Sequence, residues 1–170
     1  MQKTRHQFFP VNKKTPEHLE SIIKVFSEHE AKINSHKHRL TSNSVLGVLR
    51  KNLEAVGFRI ESGKKKEEKI KMPVLFGENS QIIKSFDVDG YHEEFKTVLE
   101  VEAGRGVMNN QFLKDFFEAC IMVNVDHCII AVRDTYLKQK DFEKVKDFFD
   151  SMYASGRMNI PLKGLLIVGY

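Results

Sequence analysis

The sequence predicts an α/β protein whose mixed β-sheet is flanked by helices. Three observations lead there. The C-terminal half alternates strand, helix, strand, helix, strand, a pattern that implies right-handed crossovers and a parallel portion of sheet. The middle holds two short β-type runs near enough in sequence to pair antiparallel, Ser85-Phe-Asp-Val-Asp-Gly and Thr97-Val-Leu-Glu-Val-Glu. Amphipathic helical spacing precedes both, with no internal repeat and no low-complexity linker. At 170 residues, 41% hydrophobic and 29% charged, the chain is expected to form one domain spanning 1–170.

Taken in order, residues 1–14 are polar and contain Pro10, so they read as an irregular lead-in. Thr15 followed by Pro16 signals an N-cap and first helical position. Leu19, Ile22, Ile23, Phe26 and Ile33 follow helical spacing. A polar break, Asn34-Ser-His-Lys-His-Arg39, precedes a second helix. Ser42 or Asn43 caps it, and Val45, Leu46, Leu49, Leu53 and Val56 form its apolar stripe. Gly57 ends that helix, and Phe58-Arg-Ile-Glu61 reads as a strand. A charged loop follows, Gly63-Lys-Lys-Lys-Glu-Glu-Lys69, then a short strand over 73–76 and a turn over 77–80.

Beyond the acidic runs, Asn109 or Asn110 is the expected cap of a third helix with the stripe Phe112, Leu113, Phe116, Phe117, Cys120 and Ile121. His127–Val132 reads as a buried strand. A fourth helix carries Phe142, Val145, Phe148, Phe149, Met152 and Tyr153 on one side, Gly156 lies just past it, and 162–168 forms the last strand. Most of the 13 phenylalanines fall at this core spacing, which favours packing over base stacking.

Net charge is +4 with pI near 9.0, a mild basic excess compatible with a polyanionic partner. The N-terminal residues lead into no apolar signal region and no run reaches membrane-spanning length, so a cytoplasmic protein without a membrane partner is expected. Cys120 and Cys128 lie in apolar helix and strand patterns and read as small buried hydrophobes; redox-motif spacing is missing.

The acidic runs carry the chemistry. Alternation along a strand sets Asp87 and Asp89 on one face, and Glu100 and Glu102 likewise. A hairpin turning around Glu94 and Phe95 would oppose Asp89 to Glu100 and Asp87 to Glu102. Opposed Cβ atoms lie roughly 4.5–5.5 Å apart, close enough for two carboxylates to share one divalent ion. Phe86, Val88, Leu99 and Val101 would then form a core face. Carboxylates clustered against core need a cation to neutralise them, which makes this a candidate metal site. Asp89-Gly90 can also form a tight turn of its own, and in that register the acidic pairs would not meet.

A helix, a three-stranded antiparallel meander carrying Asp and then Glu-x-Glu, and a helix–strand–helix–strand tail resemble the PD-(D/E)XK nuclease superfamily, which includes type II restriction endonucleases and resolvases. The resemblance covers about 43–168. It implies a restriction endonuclease-like fold and a Mg²⁺-dependent DNA endonuclease, with Mn²⁺ able to substitute. The expected metal ligands are Asp89, Glu100 and the Val101 carbonyl, with Asp87 as the alternative to Asp89. Asp89, Glu100 and Glu102 would be the catalytic residues. Glu102 stands where the family usually has Lys. It cannot supply positive charge, but it can act as a general base or hold a second ion. A homodimer, with one site per strand of DNA, is the expected assembly, and no small-molecule substrate is implied.

Further candidates are Arg105 in Ala103-Gly-Arg-Gly106, where two glycines allow close backbone approach to a phosphate, and Gln111 at a helix N-terminus. Glu54 is a candidate additional ligand, weighed against an i,i+4 pair with Arg50. Lys64, Lys65, Lys66 and Lys69 could track a DNA backbone or form a solvated loop, and the same holds for the His36-Lys-His-Arg39 run. Its histidines lack Cys or His partners at zinc spacing. Two other readings compete with the nuclease: a non-catalytic nucleic-acid-binding module of the same fold, and an α/β interaction protein with an exposed acidic strand pair.

Overall fold

A computed structural model describes residues 4–63 and 65–170. The strands are β1 (Arg5–Phe9), β2 (Phe58–Ile60), β3 (Ile70–Phe76), β4 (Ile82–Val88), β5 (Gly90–His92), β6 (Thr97–Val101), β7 (His127–Val132) and β8 (Gly164–Gly169). The helices are α1 (Glu17–Glu28), α2 (Glu30–Ile33), α3 (Ser42–Ala55), α4 (Gln111–Ile121) and α5 (Asp141–Ser155). Six strands form one mixed sheet in the order β1-β8-β7-β6-β5-β2, while β3 and β4 make a separate two-stranded hairpin. β6, β7 and β8 run parallel, linked by α4 and α5 as crossovers; the β2–β5, β5–β6 and β1–β8 pairs are antiparallel. The expected α/β fold with a mixed, helix-flanked sheet is present.

Strand alternation sorts the sheet's side chains onto two apolar layers. Leu99, Val101, Ile129, Ala131, Leu166 and Val168 pack against α1, α2 and α3 through Leu19, Phe26, Ile33, Leu46, Leu49 and Leu53. Val98, Cys128, Ile130, Val132, Leu165 and Ile167 face Phe112 and Phe116 of α4 and Phe142, Val145 and Phe149 of α5. At about 1.5–3 kcal/mol for each large apolar side chain fully buried, these two layers dominate folding. Both cysteines are free; Cys128 is buried and Cys120 is partly covered against the same layer.

Several expectations need correction. Residues 5–9 are an edge strand on β8, so the lead-in is not irregular throughout: Phe8 and Phe9 are buried on opposite faces. Thr41, not Ser42 or Asn43, caps α3, its Oγ1 accepting from the Ser44 amide at 3.2 Å. Asn110 precedes α4 in a left-handed conformation and makes no side-chain cap bond. Phe117 and Ile121 are exposed; α4 turns Asp115 and Ala119 inward with Phe112 and Phe116. Phe148 on α5 is also exposed. Among the described residues, no helix is long and apolar enough to cross a membrane.

The largest departure is the course of the acidic run. β4 does not stay in the main sheet. It pairs with β3, and the chain bends at Asp89 before re-entering the sheet as β5. The bend is pinned from the neighbouring strand, where the Glu61 amide donates to the Asp89 carbonyl at 2.9 Å. The change of sheet carries Val88 and Phe86 onto the α4–α5 side, so they do not share a face with Leu99 and Val101.

Candidate active site

β5 and β6 turn through 93–96 and pair Gly90 with Leu99, Tyr91 with Val98 and His92 with Thr97. One further step of that register sets Asp89 opposite Glu100. The Asp89-Gly90 turn does not form, since Gly90 lies inside β5. Alternation then directs Glu100 and Glu102 to the same side as Val98, beneath the first turns of α4. The result is a cleft of about 290 Å³ at the carboxyl end of β6. Glu61, Asp87, Asp89, Glu100, Glu102 and Asp115 all line it, with Lys69, Lys114 and Gln111.

Asp89 Oδ2 accepts from the Val101 amide at 2.8 Å, which fixes its carboxylate beside β6. Burial nonetheless pushes Asp89 up to about 7, against the lowering effect of that amide and with help from the negative charges of Glu61 and Asp115. Glu100 is raised well above the ordinary carboxylate range, first by burial and then by Asp89, Asp115 and Glu102. Glu102 is pushed up to about 9 by burial and by the adjoining Asp115 carboxyl. Each shift has one root: several carboxylates in a space too small and too dry to hold all their charge.

Asp87 takes a different path. Paired across the hairpin with Lys71, it is half-exposed, and its Oδ1 accepts from Lys71 Nζ at 2.7 Å. It lines the outer part of the cleft but is not held against β6, because β4 has already left the sheet. Gln111 Nε2 donates to Asp115 Oδ1 at 3.1 Å, so Gln111 orients an acid inside the cleft. Arg105 is exposed in the loop before α4 and does not line the cleft. The close approach made there is different: a Cβ on Gly106 would fall 2.1 Å from Glu102 Oε2, so this glycine makes room for the Glu102 carboxylate. Glu54 is exposed on α3 and also stays outside, and Arg50 donates instead to the Glu61 carbonyl at 2.6 Å. Of the lysine run, Lys64 lies outside the described residues, Lys65 is exposed, and Lys69 turns into the cleft to pair with Glu61.

Two acidic members of the cleft, and Lys114 beside them, carry no mark in the sequence reading. Glu61 is almost fully buried just past β2, with Lys69 as its charge partner. Asp115 had a signal: with Phe112, Phe116 and Ala119 it completes the i, i+3, i+4, i+7 set of α4's buried face, where a carboxylate has no packing role. Glu61 has no comparable local mark.

The donor set suits a hard divalent cation. Every acidic group is a carboxylate oxygen donor of the kind Mg²⁺ takes, and Asp115 Oδ2 is buried with no hydrogen-bond partner among the described residues. Among the described residues, no three His, Cys, Asp or Glu side chains converge closely enough to hold a metal ion. The chain matches no known family model and no curated protein to a significant degree.

Proposed function

We propose that this protein is a Mg²⁺-dependent DNA endonuclease of the PD-(D/E)XK type, restriction-like and acting as a homodimer. One observation carries the reading: Asp89 and Glu100 face each other across adjacent strands in the β5–β6 register, inside a cleft whose half-buried carboxyls hold their protons through burial and one another's charge. The element order supports it too, since α3, the β2-β5-β6 meander, α4 and β7 follow one another as in that superfamily, with β3–β4 inserted.

Asp89 and Glu100, with the Val101 main chain, would hold the ion. When bound, Mg²⁺ supplies positive charge that stabilises the transition state of phosphodiester hydrolysis and acidifies a water molecule. Glu102 takes the proton of the attacking water as general base. Asp115 adjoins Glu102 from α4 and raises its proton affinity, and Gln111 orients Asp115. Lys114 sits at the cleft edge and offers the positive charge that Glu102, at the usual Lys position, does not.

The test is nicking and cleavage of supercoiled plasmid with Mg²⁺, with Mn²⁺ and in EDTA, beside Glu100→Ala. Metal-dependent cutting that the variant loses is the expected result. A folded wild-type protein that binds DNA but never cuts it, across many sequences and both metals, would instead make it a binding module.

A further inference from the structure

A second cavity opens on the carboxyl side of the same sheet, and its chemistry is opposite to the first. It measures about 400 Å³ and is lined by Ser35, His36, Lys37 and Arg39 from the α2–α3 loop, together with Arg133, Thr135, Tyr136 and Lys138 from the β7–α5 loop. None of its lining residues is acidic. Lys37, Arg39 and Lys138 are exposed and have no acidic partner among the described residues. The neighbouring carboxylate, Asp134, is already engaged by Arg5 at 3.1 Å and by His36 at 2.7 Å, so it does not neutralise these three.

The floor of this cavity is built. Arg133 is 5% exposed, its guanidinium donates to the Leu40 carbonyl, and it lies 4.7 Å from the centroid of the Tyr136 ring. The wall beside it is a tight turn in which Tyr136 and Gln139 exchange main-chain hydrogen bonds of 2.9 and 2.8 Å. Leu137 and Lys138 at its centre hold φ of 48° and 69°, a conformation costly for residues other than glycine. Such backbone persists where surrounding structure holds it, and here it carries Lys138 at the cavity rim.

Tyr170 lines neither cavity but bonds to a residue of each. Its hydroxyl donates to the Glu102 carbonyl at 2.8 Å, and its own carbonyl accepts from Ser35 Oγ and from the Asp134 amide. One buried residue therefore touches the linings of both the basic pocket and the carboxylate cleft.

We infer that this pocket is a phosphate-binding subsite, taking a phosphate farther along the polynucleotide strand whose scissile phosphodiester enters the acidic cleft. The inference rests on the nuclease reading for the identity of the strand. Lys37, Arg39 and Lys138 supply the charge, the Ser35 and Thr135 hydroxyls supply uncharged donors, and Tyr136 offers a face for a base. The acidic cleft repels a phosphate until a cation fills it. The basic pocket has no such requirement, so it engages DNA without metal.

That difference sets the experiment. Fluorescence anisotropy of a short labelled duplex, with or without a 5′-phosphate, is measured in EDTA over a series of salt concentrations. Wild type is compared with the triple variant Lys37→Gln/Arg39→Gln/Lys138→Gln and with Glu100→Ala. The triple variant should bind about tenfold or more weakly, and its log–log salt slope should fall by roughly 2–3. Glu100→Ala should bind at least as well as wild type. Equal loss on both duplexes assigns an internal phosphate, and loss only on the phosphorylated duplex a strand terminus. An unchanged affinity and slope in a triple variant with unaltered melting temperature would overturn the subsite, as would wild-type protein that fails to bind either duplex. Plasmid cleavage is scored separately, so a protein that binds through these cations yet never cuts leaves the subsite standing and removes the nuclease.

Discussion

The main-chain amide of Val101 donates to Oδ2 of Asp89 at 2.8 Å, tying the carboxylate that ends one acidic run to the residue that separates the two glutamates of the next. The bond makes Asp89 a fixed part of β6's surroundings even though it stands at a bend between strands. Fixed, half-buried and close to like charge, these acids hold protons that a bound cation would displace.

Glu100→Gln tests that crowding of like charge directly. The amide keeps the shape and removes a charge that the cleft already disfavours. At pH 8 in EDTA the variant should melt higher than wild type by a few degrees, on the scale of about 2–4 °C per kcal/mol for a chain of this size. Differential scanning fluorimetry with Mg²⁺ added should then show an upward shift for wild type and none for the variant.

The pH dependence of the metal-free protein has a definite sign. Asp89 titrates near 7 when folded against 3.8 in the unfolded chain, and Glu102 near 9 against 4.5. Between those limits the folded state holds protons that the unfolded state has released. Stability therefore falls as pH rises. Chemical denaturation in EDTA should give decreasing unfolding free energy from about pH 4 to pH 9, and saturating Mg²⁺ should flatten the decline. A metal-free protein that gains stability over this window would contradict the electrostatic description of the cleft.

Gly106→Ala should separate chemistry from folding. The new methyl group falls on the Glu102 carboxylate, the mobile end of a side chain, so the fold can absorb it while the acid moves aside. A displacement of about 1 Å at a reacting group can cost around 10²-fold in rate. Plasmid cleavage should fall on that scale with little change in melting temperature.

Lys69→Ala leaves Glu61 buried among other carboxylates without its partner. Loss of one member of a buried pair costs about 3 kcal/mol or somewhat more, and urea denaturation should show a loss of that order. Glu61→Gln added to Lys69→Gln should recover most of it, since neither remaining group is charged. Independent, additive losses in the two single variants would show that the pair is not coupled.

Much of this site was legible because it depends on local rules. The spacing between the acidic runs leaves room for one turn, and period-two alternation then dictates which side chains share a face. The reading of Asp89 opposite Glu100 needed nothing more. The strand 127–132 and the stripe of α5 were visible for similar reasons, being continuous apolar or strictly periodic. Long-range pairing was not legible. Arg5–Phe9 becomes a strand only because β8 has a free edge to receive it. The hairpin hid behind Pro73, a residue that argues against a strand interior and is tolerated because β3 pairs on one side alone. Phe117 and Ile121 extend the apolar pattern yet lie exposed, because apolar content alone does not fix orientation, while Asp115 marks the inward face of α4.

The bend at Asp89 separates the β3–β4 hairpin from the carboxylate cleft. Everything between Glu61 and Asp89, including the β3–β4 hairpin, leaves the sheet and returns to it at a point clamped by the Glu61 amide and the Val101 amide. The excursion is anchored at its base like a fishing rod in its holder. The turn over 77–81 lies far along the chain from both clamps, so its residues can change while the carboxylates below keep their places.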